Sequence, residues 1–289
     1  MEIYRDTSGV ATLEHPVTGT LTADIYRGDE VLSTNLPVTS SNGIHTVQIN
    51  WQYTEYDGTL KIVWKQTGFQ RVTWVDIVTP IVPLSALNDL LDGVSTEDQY
   101  DAERIVRRII EVYTGQTFGK FRGTKEVTGN DSTQLALPTP LLSFTDMSDD
   151  MFVYEPSSFV IRGEGWFLGG KPGAYWTIKD APPDDVLDEF NNVIYAPGVV
   201  PKRDFKYTSV YTIIGDWGYE SVPVAVVEAA KLLISDYACQ DSAYRDKYLN
   251  SMKAADWRIE YTQAAYDGTG NLKADQLLNP YKLSNMVVI

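Results

Sequence analysis

The sequence predicts an α+β protein: a small N-terminal β-sandwich, then a helical core with a large β-rich insertion, and an extended C-terminal tail. Three features support this prediction. Apolar residues alternate up to about residue 80, helical apolar stripes follow Ser85 and Pro223, and a stretch rich in glycine and proline separates the stripes. The chain has 289 residues, which favours more than one domain, and its 43% hydrophobic and 22% charged residues are typical of a globular protein.

Residues 1–80 are predicted to form the sandwich, because a period of two is typical of half-buried strands. Turn signals at residues 27–29, 41–43 and 56–58 separate the strands. The alternation indicates an immunoglobulin-like (Ig-like) architecture, although the two cysteines typical of such domains are missing. We place a domain boundary at Pro80. The alternating apolar residues are Leu21, Ala23 and Ile25; Val47, Ile49 and Trp51; and Leu60, Ile62 and Trp64.

Two helices are predicted after the boundary, a short one over about 86–91 and a longer one over 95–115, each with a serine as its N-cap. The longer helix has one apolar stripe, which we expect to be buried and to pack against other helices. Arg107 can pair with Glu103 and Glu111 at i,i+4 spacing, and these pairs are expected on the solvent side. The stripe consists of Ala102, Ile105, Val106, Ile109 and Tyr113.

A β-rich insertion is predicted over about 117–219, where glycine and proline are frequent. A second long helix is predicted from 223 to about 255, since proline is tolerated in a first helical turn. The core would therefore occupy 81–265, with the tail at 266–289. The expected buried face of the second helix consists of Val226, Val227, Ala230, Leu233, Ile234 and Tyr237.

The C-terminal tail is the most informative stretch of the chain. No acidic residue follows Asp275, and the last four residues are apolar. Each such side chain gains roughly 1.5–3 kcal/mol when fully buried, so the tail needs a surface to cover. That surface is either the chain's own core or another chain. The apolar residues that end the tail are Leu283, Met286, Val287, Val288 and Ile289.

The net charge of −15 argues against tight nucleic-acid binding, which needs Lys and Arg to replace phosphate counterions. An acidic surface can line a passage through which DNA slides, although solubility is the simpler explanation. No apolar run approaches the ~18 residues of a membrane helix, and no secretory signal is expected from the N-terminal sequence. The single cysteine, Cys239, fits a reducing compartment.

The motifs of metal and nucleophilic catalysis are missing from the sequence. Its two histidines, His15 and His45, lack partners at metal-ligand spacing and are expected at the surface. We therefore predict no enzyme, no metal and no cofactor. The seven Trp and 18 Tyr residues keep a carbohydrate-binding tail or adhesin module open as the alternative, through Trp166, Trp176 or Trp217. A glycoside hydrolase also stays open, because 39 acidic residues neither exclude nor nominate a carboxylate pair.

Four segments in this order carry a family resemblance. Residues 104–119 read R-I-V-R-R-I-I-E-V-Y-T-G-Q-T-F-G, and residues 211–223 read Y-T-I-I-G-D-W-G-Y-E-S-V-P. The second long helix follows directly with V-V-E-A-A-K-L-L-I-S-D-Y-A at residues 226–238. Residues 274–281 read A-D-Q-L-L-N-P-Y. Over roughly 81–281, the chain resembles the head–tail connector proteins of tailed bacteriophages, also called adaptor or head-completion proteins.

The resemblance implies a structural protein of the virion neck, assembled in the host cytoplasm, with no membrane partner. Copies of the chain would form a ring, usually of twelve, through which double-stranded DNA passes. The ring would join the portal protein to tail or neck proteins (a terminator, nozzle or tail tube). The residues implied for portal binding are Leu277, Leu278, Pro280 and Tyr281, extended by Leu283, Met286, Val287, Val288 and Ile289. Those implied for subunit packing are Ile105, Ile109, Tyr113, Val227, Leu233 and Tyr237.

Overall fold

The computed structural model describes residues 1–16, 19–150, 152–171, 175–178, 186–187, 193–195, 199–201, 204–238, 251–254, 257–260 and 268–283. These residues form mostly β-strands with a few helices, an α+β arrangement. The chain divides into two compact units. Unit 1 combines Met1–Gly119 with Ser221–Ile289, and unit 2 is Lys120–Glu220.

Residues 2–78 of unit 1 form two sheets that share one hydrophobic core. A five-stranded sheet has the order β1-β8-β7-β3-β4, and a three-stranded sheet has the order β2-β6-β5. The core side chains alternate along the strands, as the period of two predicts. The strands are β1 (Glu2–Tyr4), β2 (Gly9–Glu14), β3 (Thr22–Arg27), β4 (Glu30–Pro37), β5 (Thr39–Ser41), β6 (Ile44–Ile49), β7 (Gly58–Gln66) and β8 (Phe69–Val78).

Unit 2 is built from strands around a second core that includes the fully buried Trp217 and Phe205. Its six-stranded sheet has the order β18-β15-β12-β11-β19-β9, and its three-stranded sheet β10-β14-β13; β16 pairs with β17. The strands are β9 (Lys120–Thr128), β10 (Gln134–Ala136), β11 (Leu141–Ser148), β12 (Phe152–Tyr154), β13 (Phe159–Arg162), β14 (Phe167–Gly170), β15 (Tyr175–Ile178), β16 (Val186–Leu187), β17 (Val193–Tyr195), β18 (Val199–Pro201) and β19 (Val210–Gly218).

The helices of unit 1 are α1 (Leu84–Leu90), α2 (Thr96–Thr114), α3 (Val224–Ala238) and α4 (Leu272–Leu278). The Ser95 hydroxyl accepts from the Asp98 N–H at 3.2 Å and starts α2, as predicted. Gly115 ends α2 with a φ of 74°, a left-handed conformation that glycine adopts without strain. Independent folding of residues 1–80 stays a prediction, because the two sheets and the helices belong to one compact unit.

The predicted continuation of the second long helix to residue 255 is wrong. Ser251–Ala254 is a strand, β20, which pairs antiparallel with Trp257–Glu260, β21. The physical reason lies in the pattern: apolar and polar residues alternate in S-M-K-A and W-R-I-E, and a period of two favours a strand over a helix. The predicted extended tail also differs, since α4 and a 3₁₀ turn at Asn279–Tyr281 occupy most of its described part.

Asp57 is a half-buried carboxylate at the edge of the two-sheet region. Thr79 Oγ1 donates to Asp57 Oδ1 at 2.7 Å, and a side chain at Gly119 would overlap the same carboxylate. Burial raises the pKa of Asp57 to about 6, although the Thr79 hydrogen bond and the Arg5 and Arg107 charges oppose the shift. At a pH between 3.8 and about 6, the folded protein therefore keeps a proton on Asp57 that the unfolded chain has released.

Stability is accordingly expected to fall as the pH rises from the unfolded value of 3.8 through about 6. Replacing Asp57 with asparagine removes this loss, and the variant should gain about 1–2 kcal/mol over the wild type between about pH 4 and pH 8. Urea unfolding at several pH values measures the gain. Asp29→Asn, at an exposed turn, is the control; equal pH profiles for the two variants would contradict the prediction.

Candidate assembly surface

Helix α2 carries two apolar rows that lie side by side, about a quarter turn apart. Ala102, Val106 and Ile110 form the first row and are buried. Ile109 and Val112 belong to the second, with 36% and 67% of their surfaces exposed. Within the described part of the chain the first row is fully covered, whereas the second is covered only in part and most open at Val112. We call Ile105, Ile109 and Val112 the outer row.

The predicted solvent side of α2 is wrong for Glu103 and Arg107, because both side chains are buried. Glu103 Oε2 accepts from Arg107 Nε and from Tyr4 Oη, each at 3.3 Å, and its Oε1 accepts from the Ile81 N–H at 2.9 Å. Arg107 Nη2 donates to Glu2 Oε2 at 2.8 Å. The burial is tolerated because each charge has an opposite charge and further hydrogen bonds.

This buried network fixes α2 on the two-sheet region, since Glu2 and Tyr4 belong to β1. Burial raises the pKa of Glu103, against the opposing effects of Arg107 and of the Ile81 hydrogen bond. Burial alone would lower the pKa of Arg107, but the Glu103 and Glu2 carboxylates hold it above its usual value. The orientation of the outer row is thus set by buried contacts on the opposite side of the same helix.

The C-terminal segment is fixed to the end of α2. Tyr113 Oη donates to Asn279 Oδ1 at 2.8 Å, and the Leu283 N–H donates to the Thr114 carbonyl at 2.8 Å. Burial, together with the Asp275 carboxylate, raises the pKa of Tyr113, which keeps its hydroxyl protonated as a donor. Two further contacts reach the Tyr281 residue: Gln116 Nε2 donates to its carbonyl, and the Phe118 ring meets its ring edge-on at 5.9 Å.

The residues implied for portal binding therefore differ in accessibility. Leu278 is fully buried in unit 1, and Leu277 and Tyr281 are half-buried. Pro280 and Leu283 are exposed, so they are available to a partner without unfolding. Met286, Val287, Val288 and Ile289 lie outside the described residues. Their role in portal binding stays a prediction.

The residues implied for subunit packing also differ in how exposed they are. Ile109 is exposed and Ile105 half-buried, both in the outer row, whereas Tyr113 is half-buried beside the C-terminal segment. On α3, Val227 is half-buried and Leu233 is buried within the chain's own core. Tyr237 was expected on the buried face of α3 but is 50% exposed. It lies one turn after the buried Leu233 and Ile234.

A cleft of about 450 Å³ lies beside the outer row. Its apolar side is formed by Ile109, Val112 and Tyr113, and the Lys282 ammonium lies 4.5 Å from the centre of the Tyr113 ring. Arg108 and Gly268 complete the lining. Apolar side chains rimmed by cations suit a protein segment that is itself apolar or carries a negative charge. We define the outer row together with this cleft as the candidate assembly surface.

The described residues hold no group of three or more His, Cys, Asp or Glu side chains placed to bind a metal ion. His45 was expected at the surface but is buried. Its Nδ1 lies 2.7 Å from Ser40 Oγ and its Nε2 lies 2.8 Å from the His15 carbonyl, so both ring nitrogens have partners, which makes burial possible. Across the part of the chain that the structure describes, no helix is long and apolar enough to cross a membrane.

The aromatic residues singled out for sugar binding do not form one platform. Trp217 is fully buried and its Nε1 donates to the Gly123 carbonyl at 3.0 Å. Trp166 is half-buried, and the side chain of Trp176 lies outside the described part. The most exposed tryptophan among the described residues is Trp74 on β8, which the sequence did not distinguish from its neighbours.

No family model matches the chain. No curated protein matches it either. Among solved structures, the M1 domain from titin is 10% identical, with 27% of this chain and 84% of that chain covered and a TM-score of 0.21. A chimeric titin Z1Z2-Z1Z2 tandem is 10% identical, with coverage of 76% and 81% and a TM-score of 0.22. TM-scores this low carry no argument about what the chain does.

Proposed function

We propose that this chain is a ring-forming structural subunit of a bacteriophage neck, which joins the portal of the DNA-filled head to the tail and lines the DNA channel. The observation that carries the proposal is the outer row of α2. An apolar row that is exposed in the single chain, on a helix held by a buried ionic network, is suited to packing against another subunit.

The sequence resemblance supplies the identity of the partners. Its four segments include α2, the approach to α3, α3 itself, and α4 with the turn that follows it. In this proposal the two-sheet region is the Ig-like sandwich, the helices of unit 1 form the connector core, and unit 2 is the β-rich insertion. The protein acts without a cofactor, in the virion, after assembly in the host cytoplasm.

The burial of Leu278 refines the proposed portal contact. Because Leu278 and Tyr281 hold the C-terminal segment against unit 1, their role is to position the residues that follow. The direct contact then falls to Pro280, Leu283 and residues 286–289. The net charge of −15 supports the proposed channel, since an acidic wall does not retain a polyanion.

The proposal is tested by mixing the full-length chain with its portal and examining the product by native mass spectrometry and electron microscopy. The wild type is expected to add a closed ring of subunits to the portal. Val112→Glu should remove ring formation, because it places a charge in the centre of an apolar contact that excludes water.

Val31→Glu is the matched control, since Val31 is also an exposed valine but lies on β4 and does not belong to the candidate assembly surface. It should assemble like the wild type. A wild-type chain that does not join an intact portal, or a Val112→Glu variant that still closes a ring, would overturn the proposal.

A further inference from the structure

The outermost strand of the six-stranded sheet in unit 2 has one open edge. Strand β9 is nine residues long and, among the described strands, pairs with β19 alone. Just beyond this ladder the Gly129 N–H donates to the Ser209 carbonyl at 3.0 Å, so the odd-numbered residues of β9 direct their backbone groups towards β19. The even-numbered residues direct theirs to the open edge. Within the part of the chain that the structure describes, the backbone N–H and C=O of Thr124 and Glu126 have no hydrogen-bond partner.

This edge is suited to accept a further strand. Edge strands are templates for pairing with another chain, and nine residues exceed the usual strand length of about five or six. One face of β9 carries Arg122, Thr124 and Glu126, all of which are exposed. The other face carries Phe121 and Val127, which pack in the core of unit 2. A strand added at the edge would meet a charged face, an apolar face and the unpaired backbone of Thr124 and Glu126.

A second copy of β9 fits this edge best in one register. In a two-fold antiparallel pair, even-numbered residues must lie opposite even-numbered residues, so the axis passes beside one residue of the strand. With the axis at Arg122, Lys125 or Glu126, that residue faces its own copy and places two like charges opposite each other, which is unfavourable. An axis at Gly123, or nearer either end, leaves part of the strand without a partner in β9.

An axis at Thr124, the middle residue of β9, pairs the whole strand. On the exposed face it places Arg122 of each copy opposite Glu126 of the other. On the core face it places Phe121 opposite Val127. Opposite charges, and an aromatic side chain beside a β-branched one, both stabilise an antiparallel pair, and the two-fold axis repeats each of these contacts.

Arg122 can make the new pair while it keeps its present one. Its Nε donates to Asp216 Oδ1 at 2.8 Å and its Nη2 to Asp216 Oδ2 at 3.4 Å, and 52% of the side chain is exposed. A guanidinium binds more than one carboxylate, because it has five N–H donors. Asp216 therefore orients the Arg122 side chain on the exposed face, where the Glu126 carboxylate of a second copy would arrive.

We propose that two copies of this chain pair through β9, antiparallel about a two-fold axis at Thr124, and join their six-stranded sheets into one. The pairing occupies the open edge of both copies, so the association stops at two. It uses unit 2, whereas the connector proposal uses the outer row of α2. The dimer therefore does not depend on the connector proposal.

The test reverses the charges of one pair and measures dissociation of the dimer by analytical ultracentrifugation. All chains carry Val112→Glu, so that the outer row contributes no association. Glu126→Arg places arginine opposite arginine at two positions, and the dissociation constant should rise at least about tenfold. Arg122→Glu should weaken the dimer in the same way. An equimolar mixture of the two variants should form a mixed dimer, identified by native mass spectrometry, because each charge then faces its opposite.

Thr124→Pro tests the backbone contact independently of charge. Proline has no N–H, and the Thr124 N–H has no partner within the described residues of the single chain, so the ladder with β19 is kept. The variant loses the hydrogen bonds at the axis in both copies and should be monomeric. Circular dichroism verifies that this variant and the charge variants fold.

Asp146→Arg is the matched control, because Asp146 is an exposed acid of the same sheet on β11, which has a strand on either side. It should dimerise like the parent chain. A parent chain that stays monomeric at about 0.1 mM overturns the proposal, and so does a dimer that Glu126→Arg and Thr124→Pro leave intact. Charge variants that do not form a mixed dimer overturn the register, and assemblies larger than two overturn the two-fold pairing. The readout involves neither the portal nor the outer row, so its failure is separate from a failure of the connector proposal.

Discussion

Replacement of Glu103 with alanine is expected to lower the free energy of unfolding by about 3–5 kcal/mol, because breaking a buried ion pair leaves the other charge without compensation. Arg107 would keep Glu2 as its hydrogen-bonded carboxylate, and the Ile81 N–H and the Tyr4 hydroxyl would each lose their acceptor on Glu103. Urea unfolding followed by circular dichroism measures the change at neutral pH.

Glu111→Ala is the control, because Glu111 pairs with the exposed Arg108 at 3.4 Å on the same helix. An exposed pair contributes about 0–1 kcal/mol. A double replacement, Glu103→Met with Arg107→Leu, should recover much of the loss, since two well-packed apolar side chains can substitute for a buried pair. A loss below about 1 kcal/mol for Glu103→Ala would mean that water reaches the pair and that α2 is not fixed by it.

Replacement of Leu278 with alanine should cost about 2–5 kcal/mol of unfolding free energy, the range for removing a buried leucine side chain. Leu278 is fully buried at the end of α4, in the motif that the resemblance assigns to the portal. The prediction therefore separates two roles for one residue. A residue of the chain's own core destabilises the free protein when truncated, whereas a residue kept for a partner does not.

Leu283→Ala is the matched control, because Leu283 is 39% exposed and should change stability by less than about 1 kcal/mol. If the connector proposal holds, this control should still weaken portal binding. Equal stability losses for the two variants would contradict the division between a buried positioning residue and an exposed contact residue.

Local patterns predicted most of the strands and helices, but not which side of α2 is buried. Ala102, Val106 and Ile110 recur at a spacing of four, and so do Ile105 and Ile109. A single sequence does not distinguish the row that meets the chain's own core from the row that meets something else. Glu103 and Arg107 suggested the solvent side only because their partner Glu2 is distant in sequence.

The C-terminal third illustrates a different limit. The N-terminus of α3 was predictable from Pro223, whereas β20 and β21 depend on pairing between two short segments. A four-residue alternation is too weak a signal to end a predicted helix. The fully buried position of Leu278 was equally hidden, because apolar residues in L-L-N-P-Y suit an internal core and a foreign surface alike.

The pairing of β9 with β19 has an evolutionary consequence. Lys120, the first residue of unit 2, lies directly opposite Gly218, two residues before its end. The two points at which the chain enters and leaves unit 2 are therefore neighbours, about 5 Å apart in an antiparallel pair. A segment with adjacent ends can be gained, lost or exchanged by recombination as a cassette, because a short turn closes the gap it leaves. A different segment with equally close ends can therefore replace residues 120–220 and leave the two flanking parts of unit 1 joined at the same points.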